Sequence, residues 1–206
     1  MTADTRTAID NSPANEAGRP RRFNLLAQLL HWTMAAAILS MLFVGVAMMT
    51  SLTWRPRLLD LHQPLGIAIL LLVIVRLVNR LRHGAPALPA DIPRWQAISA
   101  KASHWVLYAL MFSLPLLGWG VRSAGGWPVT MFAGVTLPAI APTHPVWYAV
   151  LRDAHGLLAW LLFAVVLMHL AAALMHAWVR RDGVFSTMTP TGRSFVRKRN
   201  HRTGRA

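Results

Sequence analysis

Four long hydrophobic runs, each near the roughly 20 residues that a helix needs to cross a bilayer, constrain this chain more than any other feature. They lie between Asn24 and Trp54, from Leu61 to about Leu81, from Ala102 to Val121, and from Ala154 to Val179. In hydrocarbon each run must satisfy its backbone hydrogen bonds internally, so each is read as a helix. With 55% hydrophobic residues among 206, the expected fold is all-α, an integral membrane four-helix bundle. A fifth uncharged run, Ser123 to Leu151, matches a span in hydropathy but not in composition. Pro128, Pro138, Pro142 and Pro145, with Gly125, Gly126 and Gly134, interrupt it too often for a regular helix. It is expected to be a folded external loop capping the bundle.

The net charge of +14 would suit a nucleic-acid partner if it were spread over one face, but it follows the membrane topology. Arg19, Arg21 and Arg22 precede the first run, Arg80, Arg82, Arg94 and Lys101 separate the second from the third, and Arg180, Arg181, Arg193, Arg197, Lys198, Arg199, Arg202 and Arg205 follow the fourth. The other side holds only Arg55, Arg57, Arg122 and Arg152. Both termini are therefore expected in the cytoplasm. The basic tail should lie against anionic lipid headgroups, with no nucleic acid involved. Residues 1–21 lack an apolar core and read as a disordered tail, not a signal peptide. The membrane domain is expected over 22–188 and a basic tail over 189–206.

An ionisable side chain within a span is costly and commonly functional. His31, His62, His155 and His169 all lie in or at the mouths of the spans. His155 and His169 share one apolar stretch, fourteen steps apart, which is about 21 Å along a helix axis and within roughly 40° of the same face. Depth pairs His62 with His155 near the outer surface, where Asp60-Leu-His62 and Asp153-Ala-His155 open their spans. It pairs His31 with His169 two to three turns from the cytoplasm. The chain has no Cys, which excludes disulfides, thiolate metal sites, iron–sulfur clusters and covalent haem attachment. Two bis-histidine layers without carboxylates suit a low-spin haem b better than zinc or a di-iron centre. Two haems per chain are expected.

Arg76 also follows its helix's histidine, His62, by fourteen residues and so falls level with His169. Haem propionates would supply the counter-charge that the spans lack; snorkelling to the cytoplasmic headgroups is the alternative. Gly66 and Gly156, beside the outer histidines, would admit a flat macrocycle or serve helix packing. His104 is open to three roles: interfacial residue, quinone contact, or alternative partner of the inner layer. His176 reads as an outer contact of the inner centre or its propionates. His83, His144 and His201 read as solvated.

These residues resemble the prokaryotic cytochrome b561 family, four-helix di-haem membrane cytochromes related to the b subunits of nickel–iron hydrogenases and formate dehydrogenases. The resemblance runs from about Arg22 to Met188. It rests on RFNLLAQLLHW around His31, HQPLGIAILLLVIVRL from His62, ALPADIPRWQ before the third span and HWVLYALMFSLPLLGW from His104. HGLLAW from His155 and HAWVRRDGV from His176 complete the ordered set. It implies haem b held by His31 with His169 and by His62 with His155, and electron exchange with the quinone pool. It further implies oxidation of superoxide at the outer face and reduction of ubiquinone. Gln63 departs from the pattern, because members often carry Lys beside the outer histidine; Arg57, Arg122 and Arg152 still give a positive outer surface. Two functions fit: a self-sufficient superoxide:quinone oxidoreductase, or a non-catalytic electron-transfer subunit docked on a periplasmic dehydrogenase or hydrogenase. A metal-ion transporter would want carboxylates and broken helices near the midplane, and the spans offer neither.

Overall fold

The computed structural model describes residues 22–84, 93–131 and 134–189. The tail expected over 1–21, and all but Thr189 of the tail expected over 189–206, His201 among them, lie outside the described residues. Four helices dominate: α1 (Leu25–Thr50), α2 (Arg55–His83), α3 (Arg94–Ala124) and α4 (Pro145–Leu174). All four are long and apolar enough to cross a membrane.

The helix ends follow local chemistry. Asn24 caps α1 by accepting the Ala27 N–H at 2.7 Å, which satisfies one of the four free donors of the first turn. Proline stands in the first turn of α2 (Pro56) and opens α4 (Pro145), where its missing N–H costs nothing. His144 caps α4 through Nδ1, which accepts the Val146 N–H at 3.2 Å. Both helices consequently begin earlier than the hydropathy predicts. Arg55, Arg57 and Asp60 form helical turns ahead of the apolar run of α2, and 145–151 of the expected external loop belong to α4. His62 and His155 thus lie two or more turns inside their helices instead of opening them. Charge marked where the bilayer ends, not where the helix does. Likewise α3 begins at Arg94, eight residues before the hydrophobic run.

Apart from Ser123 and Ala124, which end α3, the described remainder of the fifth run is a loop, as its prolines require, and it contains a small antiparallel pair, β1 (Val129–Thr130) with β2 (Thr136–Leu137). Gly126 and Gly134 adopt φ near +77° at its turns, a region open mainly to glycine. The loop is pinned to the end of α3. Trp119 Nε1 donates to the Pro138 carbonyl at 2.9 Å, Ser123 Oγ accepts the Ile140 N–H at 3.1 Å, and the His144 N–H reaches the Ala124 carbonyl at 3.0 Å. This is the hairpin end of the bundle.

The opposite, terminal end closes on itself. α4 widens into a π-helical turn over Met175–Arg180, reverses through Arg181 at φ 52°, and continues as a 3₁₀ turn, Phe185–Met188. That segment clasps the start of α1: Trp32 Nε1 donates to the Met188 carbonyl at 2.8 Å and Arg22 to the Ser186 carbonyl at 3.3 Å. Both described chain ends therefore share one face.

Close backbone packing joins α1 to α2, α2 to α3 and α3 to α4, whereas the backbone of α4 scarcely approaches α1 or α2. Aliphatic side chains bridge that separation at mid-height. Met34 and Ile38 of α1, Ile69, Leu70 and Val73 of α2, Leu110, Met111 and Leu114 of α3, and Leu162 and Val165 of α4 make one apolar core. Near the terminal end Asn24 and Asn79 exchange amide hydrogen bonds at 3.3 Å between α1 and α2, and Asn79 is 6% exposed. Replacing Asn79 with Ala strands the Asn24 amide. The expected cost is about 0.6–1.7 kcal/mol, the range for interhelical hydrogen bonds in membranes, read from unfolding in a denaturing-detergent titration.

Candidate cofactor site: two layers of facing histidines

The fourteen-residue interval on α4 delivers one imidazole above the apolar core and one below it. On the hairpin side His155 faces His62 of α2, with ring centres 6.2 Å apart and planes at 65°. On the terminal side His169 faces His31 of α1, with ring centres 6.4 Å apart and planes at 70°. Each pair spans one of the two helix separations that the backbone leaves open. A metal sits about 2 Å from an imidazole nitrogen that ligates it and the ring centre roughly 1 Å beyond, so two rings on opposite sides of one metal have centres about 6 Å apart. Both pairs stand at that spacing.

The hairpin-side pair lines a cavity of about 260 Å³, whose walls include Gln63, Gly66, Gly118, Arg122, Arg152 and Trp127. Among the described residues the buried side-chain polar atoms without a hydrogen-bond partner are His62 Nδ1, His155 Nδ1, Gln63 Oε1 and Arg122 Nε, and all four belong to residues of this cavity. Buried polar atoms are normally satisfied, and a concentration of exceptions points to a bound group. The donor set, two neutral-capable imidazoles in apolar surroundings without thiolate or carboxylate, matches the chemistry of haem b. The residues present fit the group.

The glycines expected to admit a macrocycle divide. Gly66 lines the cavity, where an added Cβ would make only ordinary contact with Met41 at 3.7 Å. Gly156 is exposed and a Cβ there would meet nothing, because one step from His155 turns it through 100° toward lipid. The glycine that His155 does require is Gly118 of α3. A Cβ there would stand 3.2 Å from His155 Cε1. Sequence gave no sign of this, since it depends on how α3 is rotated against α4.

Arg122 is the cation set most firmly at the cavity. Its guanidinium donates to the Pro128 carbonyl at 3.2 Å and stacks over Trp127, 5.3 Å from the ring centre. Arg57 stacks instead on Trp54 at 5.3 Å and is absent from the cavity wall, to which Arg55 contributes alongside Arg152.

On the terminal side, Arg76 directs Nε to the Tyr108 hydroxyl at 3.2 Å, and among the described residues no carboxylate pairs with it. His104 of α3 joins this layer, its ring centre 5.5 Å from that of His169; the spacing from His169 favours His31 as the opposed ring. His176, expected as an outer contact of the inner centre, turns Nδ1 to Asp182 Oδ2 at 2.6 Å. The same carboxylate oxygen lies 3.5 Å from Arg180 Nε, so the π-helical turn is locked by one acid. His83 is exposed and bonds the Asn79 carbonyl at 3.1 Å.

A polytopic helical bundle with histidines facing each other at two depths is the framework of a membrane-bound electron carrier. Residues 22–191 match the family described as prokaryotic cytochrome b561. Among relatives, Cytochrome b561 homolog 2 of Escherichia coli is 26% identical over 173 residues, covering 82% of this chain and 92% of its own. The Probable superoxide oxidase CybB of Yersinia pestis is 27% identical over 175 residues, covering 84% and 98%. The chain belongs to the prokaryotic cytochrome b561 family: it is a multi-pass membrane cytochrome b that binds haem b and takes part in electron transfer.

The two glycines give a test of the cavity. Gly118→Val should displace the His155 ring and deplete or spectrally shift the bound haem b, while Gly156→Ala should leave its spectrum unchanged. Optical difference spectra of the purified variants read the outcome.

Proposed function

We propose that this cytochrome holds two haem b groups, one between His62 and His155 and one between His31 and His169, and oxidises superoxide at the hairpin end while reducing ubiquinone toward the terminal end. The observation that carries the reading is the pair of imidazole couples at ligation spacing, set one above the other by a fourteen-residue interval on α4. The excess of Lys and Arg at the terminal end supports a cytoplasmic location for that face in a bacterial inner membrane. Bound there, haem b supplies a one-electron carrier at each depth.

The protein's own groups do the rest. His62 and His155 would each offer a nitrogen to the outer iron, and Gly118 leaves the room that the His155 ring needs. Arg122, immobilised by Trp127 and the Pro128 carbonyl, presents a fixed positive charge at the cavity where a small anion would arrive. It takes the place of the Lys that stands near the outer histidine in similar proteins, where this chain has Gln63. Arg76, oriented by the Tyr108 hydroxyl, would neutralise the carboxylates of the inner group. Two superoxide ions each give up one electron and leave as dioxygen; one quinone gains two electrons and two protons and leaves as quinol.

A second reading is favoured by the exposed apolar surface of the hairpin end, where Trp127, Val135, Ile140 and Trp147 are each about half exposed. Such a patch suits a docked periplasmic redox protein, with this chain as its electron-transfer subunit. The isolated protein separates the two. Mixed with superoxide and ubiquinone, the oxidised cytochrome should be reduced and then form quinol, faster at low salt. Reduction no faster than spontaneous dismutation allows would leave only the docked subunit. Arg122→Gln should lower the superoxide rate about tenfold and flatten its salt dependence, the scale of electrostatic steering.

Haem content tests the ligand assignment independently. A pyridine haemochrome assay should give two haems per wild-type chain, extractable by acid acetone. His155→Ala should lose one redox component and His169→Ala the other. Loss of the same component in both would refute the two-layer assignment.

A further inference from the structure

The terminal end carries a second cavity, of about 340 Å³, that shares Arg76 with the inner haem reading and extends beyond it to Arg22 and Arg80. Its wall is built by Arg22 and Asn24 ahead of α1, by Arg76, Asn79 and Arg80 of α2, and by Tyr108 of α3, while His31, His104 and His169 do not line it. We infer that this cavity binds the phosphate of an anionic phospholipid.

Charge makes the first case. Three guanidiniums face one space with no carboxylate in the wall. Among the described residues the acids are Asp60 and Asp153 near the hairpin end and Asp182, already taken by His176 and Arg180. Arg76 is assigned to the inner group's carboxylates, which leaves Arg22 and Arg80 facing the same space, and two cations held there repel one another unless a further anion joins them. Arg80 is held over the Tyr108 ring, 5.8 Å from its centre, and Arg22 by its bond to the Ser186 carbonyl, so both charges are positioned before any ligand arrives. Arrangements of this kind, basic pockets between helices at the membrane surface, suit lipid headgroups.

Location makes the second case. The cavity lies where α1 begins and α2 ends, the level at which phosphates sit when helices of this length span a bilayer. On the turns at those ends Leu25 and Leu29 of α1 and Leu81 of α2 are more than half exposed. A diacyl phosphate placed in the cavity would have apolar helix surface for its chains. Inorganic phosphate shares the headgroup chemistry but gains nothing from those leucines.

The test uses the full-length haem-loaded protein in mild detergent, titrated with phosphatidylglycerol, phosphatidylcholine or inorganic phosphate and followed by native mass spectrometry. One phosphatidylglycerol should bind per chain in preference to phosphatidylcholine. Arg22→Gln and Arg80→Gln should each weaken it about fivefold, and the double variant about twenty-five-fold, the effect of about one surface cation each. Arg80→Lys should keep most of the affinity, and haem content should stay at the wild-type level throughout. Equal binding of the two lipids by the wild-type protein would overturn the inference whether or not the variants fold. So would unchanged lipid binding in the double variant. Inorganic phosphate binding as tightly as the lipid would identify a free-phosphate site instead. A shift in haem potential in Arg80→Gln with lipid binding unaltered would assign the guanidiniums to the cofactor's own carboxylates.

Discussion

The separation of α4 from α1 and α2 governs this bundle. Helices in a membrane associate through close packing, without the hydrophobic drive that operates in water. A gap between two helices therefore needs either a filler or a strut. The mid-height core, from Met34 and Ile38 to Leu162 and Val165, is the strut. Above and below it the helices stand apart, and each opening is faced by two imidazoles. A tighter bundle would press those rings together; a looser one would place them beyond the reach of one iron.

What holds the frame at each end differs in kind. At the hairpin end the loop is tied to α3 through Trp119, Ser123 and Ala124, and Arg122 is stacked within it, so the cavity at His62 and His155 is walled by a short, well-bonded segment. At the terminal end the chain after α4 folds back over α1 through a π-helical turn organised by Asp182. Surplus residues in a helix turn of that type redirect the chain without breaking it. That detour brings the Ser186 and Met188 carbonyls to Arg22 and Trp32, beside the layer of His31 and His169.

Much of this frame was readable in the sequence because it rests on periodicity. Four spans follow from run length, and the alignment of His155 with His169 follows from fourteen steps at 100°. Helix limits were less readable: Pro56 and Pro145 permit turns that continue past the apolar runs, so hydropathy placed the starts of α2 and α4 too late. The β1–β2 pair has two residues per strand, too few for alternation to register. His104 beside His169 was only one of three roles left open, and Gly118 beside His155 was out of reach, because both depend on the rotation of α3 about its own axis. No spacing within one helix reveals that angle.

The apolar strut has one further consequence. It separates the two histidine layers by about 21 Å of helix, and its side chains, methionines and branched aliphatics with the single phenol of Tyr108 at the terminal edge, offer no continuous relay for protons. Water and hydrated ions would find no foothold there. A charge passing from one layer to the other would have to travel as a bare electron, uncompensated, across much of the low-dielectric thickness. Such a movement does work against the transmembrane voltage, about 2.3 kcal/mol per charge for each 100 mV over the full width. The strut thus behaves as the dielectric of a capacitor, and the rate of transfer between the layers should carry the imprint of the membrane potential.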